Sequence, residues 1–233
     1  MQRKAIIIGA TGKVGEKLVK QLATLYQCVI VIARRSPQTM NEHMQFYQVN
    51  DFANLPDIIN GLNIGEDTDA FSCLGTTKKQ AGSMEAFRQV DYDMNVNFAQ
   101  LCRDKNVSQF FFLSAMGADS NSRFFYNRVK GDTEAALAKL GFDKLVIFRP
   151  SLILAKRKGR PLESASQGLF KLVSPLISES ISMHPISAKR VAAAMAMSAH
   201  ELYERQKFQQ NVISAKVKIV ENKQMLAMTR IKS

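Results

Sequence analysis

Residues 9–15 read GATGKVG, directly behind the apolar run AIII at 5–8. Two phosphate-cradling loops share this kind of glycine spacing. An ATP-type loop needs Gly, four residues, Gly, Lys and then Ser or Thr. Here Gly12-Lys13 follows Gly9 after two residues, and Val14 stands where a magnesium-binding hydroxyl belongs. The dinucleotide type fits better. Gly9 allows the tight turn out of the first strand, Gly12 lets the backbone approach a pyrophosphate, and Gly15 lets the helix pack close to the strand. The helix N-terminus then offers free N–H groups to the negative charge. The spacing Gly-x2-Gly-x2-Gly differs from the usual Gly-x-Gly-x2-Gly. A glycine-rich turn without a ligand is the plainer alternative.

Working outward, β-branched and aromatic runs alternate with helical patterns. Strands are expected at Lys4–Ile8, Cys28–Ala33, Gln45–Val49, Ala70–Cys73, Gln109–Leu113 and Leu145–Phe148. Helices are expected near Gly12–Leu25, Leu55–Leu62, Met84–Lys105 and Tyr126–Leu140. Continuous apolar strands separated by helices predict a doubly wound, mostly parallel α/β sheet of the Rossmann type. Ligands in such sheets bind at the carboxyl ends of the strands. After Pro150 the alternation weakens, with Pro161, Pro175 and Pro185 as breakers. A helix is expected at Ala188–Tyr203, and one more strand at Gln210–Ser214. Residues 1–233 read as a single domain, in which 151–187 form a small substrate-side decoration.

The chain has 233 residues, 46% of them hydrophobic, and a formal charge of +12. Part of the charge is local: Lys156, Arg157, Lys158, Arg160 and Lys171 face only Glu163. The basic loop and tail read as solvated surface, since no nucleic-acid motif accompanies them; binding of an anionic macromolecule is the alternative. Cys28, Cys73 and Cys102 read as buried free thiols in a reducing cytoplasm. With three histidines and no ligand spacing, no metal site is expected. No apolar run approaches the ~20 residues of a membrane span.

About 20 residues beyond the glycine loop, an acid usually binds the ribose 2′-hydroxyl of NAD. Here the second strand ends in Arg34 and Arg35, and no acid occurs between Glu16 and Glu42. A guanidinium binds a 2′-phosphate bidentately, which favours NADP(H) over NAD(H). A solvated arginine pair is the alternative. Asp51, after the third strand, is placed to accept from the adenine amine. Cys73, Leu74 and Gly75 leave the fourth strand where the backbone can approach the cofactor.

The fifth strand ends in Ser114. Twelve residues later comes Tyr126, and Lys130 follows on the same helical face. A nearby ammonium favours the phenolate and is expected to lower the Tyr126 pKa. Tyr126 would then serve as acid or base, Ser114 would hydrogen-bond the substrate oxygen, and Lys130 would also hold the nicotinamide ribose. A second Tyr-x3-Lys pair, Tyr203 and Lys207, has no serine at a strand end before it and reads as a solvated helix end. His184 reads as a loop or packing histidine.

GATGKVG, the arginine pair, CLGTT, Ser114, YNRVK and FRPS together resemble an atypical short-chain dehydrogenase/reductase. Within that family the chain resembles the Tat-interacting oxidoreductase subgroup, over roughly residues 4–200. The resemblance implies a Rossmann-type fold and NADP(H) binding through Thr11, Gly12, Lys13, Val14, Arg34, Arg35, Leu74 and Gly75. It implies Tyr126 as proton donor with Lys130 as its partner, and cofactor contacts at Pro150 and Ser151. In one place the chain departs: many members of the wider family carry a Val-Asn pair, part of a proton relay, where this chain has Val90-Asp91, as does the Tat-interacting subgroup it resembles. The expected function is reduction of a small carbonyl compound in the cytoplasm. A cofactor-binding regulator acting on a protein partner is the alternative.

Overall fold

The computed structural model describes residues 2–154, 183–207 and 216–230. Seven parallel strands form one sheet in the order β3-β2-β1-β4-β5-β6-β9. They are β1 Lys4–Ile8, β2 Cys28–Ala33, β3 Met44–Gln48, β4 Thr68–Ser72, β5 Gln109–Leu113, β6 Lys144–Arg149 and β9 Val217–Glu221. Two short strands, β7 Ile153–Leu154 and β8 Ile186–Ser187, pair with each other. Helices α1 Gly15–Leu25, α2 Leu55–Asn60, α3 Lys78–Ala81, α4 Met84–Arg88, α5 Met94–Asp104, α6 Phe125–Lys139, α7 Ala188–Lys207 and α8 Asn222–Met228 connect them. The strand order reverses between β1 and β4, which opens a crevice at their carboxyl ends.

Both faces of the sheet are covered, which is why the strands read as unbroken apolar runs. Alternate residues of one strand serve opposite layers. Ala5, Ile7, Phe71 and Phe111 pack with α1, α7 and α8. Ile6, Ile8, Phe110 and Phe112 pack with α2, α5 and α6. Phe71 and Phe111 stack across neighbouring strands at 4.6 Å.

At the amino end of the sheet, β4 begins two residues earlier than its apolar run. Asp69 is fully buried there, tied to Arg3 at 2.6 Å and to the Tyr26 hydroxyl at 2.6 Å. Such paired burial of a carboxylate cannot be read from hydropathy. The helix expected over 84–105 is broken by a π-helical turn at Gln89–Asp93. The helix expected to stop at Tyr203 runs to Lys207. The last strand of the sheet is Val217–Glu221, whereas the strand expected at 210–214 lies outside the described residues. β9 is an edge strand with Val217 and Ile219 exposed, so its lysine-interrupted pattern carries little apolar signal.

Gly9 sits at φ +74°, and a Cβ there would lie 2.3 Å from the Cys73 carbonyl carbon. The β1 turn is thereby pressed against the end of β4. Gly9→Ala combines left-handed strain with a backbone clash and is expected to destabilise the protein by about 2–3 kcal/mol. The midpoint of a urea unfolding curve measures this.

Candidate functional site

The crevice is built first by the glycine loop. Gly9 O accepts from Gly12 N at 3.1 Å, closing the turn. A Cβ on Gly15 would lie 2.1 Å from Gly9 O, so the start of α1 can pack this closely only as glycine. Val14, at the helix cap, supplies no side-chain hydrogen bond to the first turn. No side chain caps α1, and its first turn is closed by backbone bonds from Glu16 N to Gly12 O at 2.9 Å and from Lys17 N to Val14 O at 3.0 Å. Thr11, Gly12 and Lys13 are exposed on that loop, and Val14 and Gly15 are buried beneath it.

The strand register gathers the other expected cofactor residues along the same edge. Ile8 of β1 is level with Ile32 of β2 and Ser72 of β4, so Gly9, Arg34 and Cys73 leave neighbouring strands together. Arg34 and Arg35 are both exposed. Asp51 is also exposed, but its carboxylate already accepts from Ala53 N at 2.9 Å and starts a short 3-10 turn at Phe52–Asn54. Cys73 packs its sulfur 4.0 Å from Met195, and burial raises its thiol to about 12. Burial raises Cys28 and Cys102 as well. Leu74 packs against the α2–α5–α6 layer, and Gly75 follows it into the crevice.

A Cβ on Gly75 would lie 3.2 Å from Asp91 Oδ1 and 3.6 Å from Lys130 Nζ. Those two side chains form a buried ion pair at 2.7 Å. Asp91 Oδ2 accepts from Thr76 N at 2.8 Å. The π turn places Asp91 inward, and single π turns gather at functional sites. One turn further on, Asn95 is fully buried; its amide donates to Val90 O at 3.0 Å and Asp91 O at 3.1 Å, and its carbonyl accepts from Ser72. The amide absent at position 91 therefore stands at 95, where it holds the π turn. Nothing in the residues beside Asn95 marks it, because its partners are the carbonyls of the π turn and Ser72, 23 residues away.

Lys130 lies 5.4 Å above the Phe112 ring. Tyr126, one turn before it on α6, is 43% exposed and packs on Phe87 with ring centres 5.7 Å apart. The expected lowering of the phenol pKa does not hold. Burial around the hydroxyl raises it above its usual 10, the Lys130 ammonium pulls it down, and the Asp91 carboxylate pushes it up again. Protonated phenol is therefore the form present throughout the neutral range, and it is lost only as pH rises through the raised value. This suits a proton donor better than a base.

Ser114 is placed differently from its expected role. It is 5% exposed, and its hydroxyl donates to Glu134. Glu134 lies eight residues beyond Tyr126 on α6, about 12 Å along the axis. Arg149 at the end of β6 donates to Glu134 at 2.5 and 3.1 Å and reaches Glu221 of β9 at 3.4 Å. Ser114 thus belongs to a polar knot joining β5, β6, β9 and α6, because a buried hydroxyl turns to the nearest carboxylate. Its hydroxyl is thus engaged by Glu134.

Pro150 and Ser151 follow directly. Ser151 N donates to Asn222 Oδ1 at 3.1 Å, and its hydroxyl donates to His184 O at 2.6 Å. His184 sits in that loop with Nδ1 2.9 Å from Pro185 O. Tyr203 and Lys207 occupy the last turns of α7. The basic loop 156–160, Lys171 and most of the segment 151–187 lie outside the described residues. Among the described residues, no helix is long and apolar enough to cross a membrane.

A doubly wound parallel sheet with an uncapped glycine-loop helix at its switch point defines a nucleotide-binding protein of the short-chain dehydrogenase/reductase fold. A family model described as NAD(P)H-binding matches residues 9–201, and the chain belongs to this family. It is 36% identical to Protein HTATIP2 of Rattus norvegicus over 178 residues, 73% of this chain and 72% of that one. It is 32% identical to "Protein FMP52, mitochondrial" of Meyerozyma guilliermondii over 208 residues, 85% of this chain and 86% of that one. Among solved structures it resembles the Bordetella bronchiseptica enzyme WbmH in complex with NAD+, at a TM-score of 0.64 and 16% identity, covering 94% of this chain and 86% of that one. These relatives place the chain among the atypical members of the short-chain dehydrogenase/reductase group. They also overturn the expected cytoplasmic location, since several fungal relatives are named as mitochondrial proteins.

Proposed function

We propose that the protein is an NADP(H)-dependent reductase of small carbonyl compounds. The observation that carries this reading is the Tyr126–Lys130 pair beside Gly75 at the carboxyl edge of the sheet, with the phenol held protonated. The open glycine loop and the uncapped start of α1 suit a pyrophosphate, and Gly75 leaves room for a sugar beside Lys130. When bound, the reduced nicotinamide would supply hydride. Tyr126 would protonate the carbonyl oxygen as negative charge develops on it, and Lys130 would hold the ribose hydroxyls and the phenol side by side. Arg34 and Arg35 would hold the 2′-phosphate, Thr11–Gly15 the pyrophosphate, and Leu74, Pro150 and Ser151 the flanks. Residues 1–233 would act as one domain, with 151–187 on the substrate side. The relatives' names support a mitochondrial setting, which imaging of the tagged chain tests.

NADPH is expected to bind tighter than NADH by roughly ten- to hundredfold, the worth of a charge-assisted phosphate pair. Calorimetric titration of both cofactors tests the reading. Equal affinities, or unchanged NADPH affinity in Arg34→Ala/Arg35→Ala, would remove the NADP assignment. The placement of Ser114 favours a second reading, a cofactor-binding regulator with little turnover, because the hydroxyl expected at the substrate oxygen is engaged by Glu134. Tight NADPH binding with no turnover across a broad carbonyl panel would select it.

A further inference from the structure

We propose that Asp91 is the positioning residue of this site: it ties the Lys130 ammonium to the cofactor loop through Thr76 and opposes that ammonium at the Tyr126 phenol. The inference rests on the reading of Tyr126 as the reacting acid. Three observations carry it. Asp91 and Lys130 are both almost fully buried, at 1% and 4% exposure, and 2.7 Å apart. A buried ion pair gains little or nothing over an apolar pair of the same volume, so stability does not account for its presence. The Asp91 carboxylate also grips Thr76 N at 2.8 Å, in the loop that follows β4 into the crevice. Finally, the residue sits in a π turn whose carbonyls are pinned from two sides, by Asn95 and by Thr133 Oγ1 at 3.1 Å from Asp91 O.

The charged and titratable groups around the phenol are few. The π turn presents Asp91, and α6 presents Lys130. Asp132 of α6 is occupied by Arg88 of α4 at 3.3 Å. The loop after β4 presents Cys73, a neutral thiol, while β5 presents the Phe112 ring and α4 the Phe87 ring. Among the described residues, the ammonium has no other carboxylate partner than Asp91. With Asp91 in place, its carboxylate opposes the ammonium at the phenol. Without it, Lys130 acts on the phenol unopposed.

The test is the titration of Tyr126 itself, read as the ultraviolet difference between each protein and the same protein carrying Tyr126→Phe. In Asp91→Asn the phenol is expected to titrate about one pH unit lower than in the wild type. Asp91→Glu, which keeps the charge, is expected to restore most of the difference. A merely structural aspartate would move neither. An unchanged titration in folded Asp91→Asn would overturn the proposal. Should Asp91→Asn fail to fold, Lys130→Gln decides instead: with Asp91 as the lone neighbouring charge, the phenol must move up by about one unit, and a downward or absent shift overturns the proposal. NADPH titration adds a second readout. Asp91→Asn should weaken binding by about tenfold, and should add no further loss in a Lys130→Gln background, because it acts through Lys130. If the wild type reduces no carbonyl compound, the reductase reading fails while the phenol titration still decides the role of Asp91.

Discussion

Tyr126→Phe is expected to lower carbonyl turnover by about 10²–10⁴, the usual share of general acid catalysis, while NADPH affinity stays nearly constant. The substitution removes one hydroxyl and keeps the ring on Phe87. In the proposed reading the phosphates and adenine are held by Thr11–Gly15, Arg34 and Arg35, after β1 and β2 rather than on α6. Turnover of the wild type should fall only at alkaline pH, since the raised phenol keeps its proton through the neutral range. Tyr203→Phe is the matched control. That tyrosine stands on α7, near its end, and should affect neither quantity. Steady-state reduction and cofactor titration on the three proteins check the set. Loss of turnover in Tyr203→Phe, with Tyr126→Phe active, would move the chemistry to the other pair.

Arg149→Leu is expected to cost about 3–5 kcal/mol of stability, because it leaves the Glu134 carboxylate buried without its cation. For a chain of this length that lowers Tm by roughly 10 °C. Glu134 would retain only the Ser114 hydroxyl. Removing both partners, as Glu134→Gln with Arg149→Leu, should recover part of the loss, since no lone charge then remains. Thermal and urea unfolding of the single and double variants measure it. A loss below ~1 kcal/mol in Arg149→Leu would mean that water reaches Glu134 and that the knot between β5, β6, β9 and α6 is not held by charge.

Most of the sheet was legible because apolar runs buried on both faces have no period to misread. β1, β2 and β5 fall where hydropathy puts them. β4 does not, because Asp69 is buried by partners 66 and 43 residues away, Arg3 and Tyr26. β9 does not, because an edge strand pairs on one side and shows its Val and Ile to solvent.

The sequence alone determined the strand–glycine loop–helix unit, the alternation that makes the sheet parallel, and the Tyr126–Lys130 spacing on one helical face. These depend on residues within a few positions of each other, where local geometry decides the outcome. The direction in which each polar side chain turns was decided only by the tertiary structure. Ser114 and Tyr126 are twelve residues apart and looked like partners, yet the serine bonds Glu134, two helical turns away from the phenol. Asp91 looked like a missing amide, yet it is the counter-ion of Lys130, 39 positions along the chain, and it adds to the burial that raises Tyr126. A buried hydrogen bond or charge pair takes whichever partner folding brings within about 3 Å. That neighbour belongs to the packed layers and has no signature in the residues beside it in the chain.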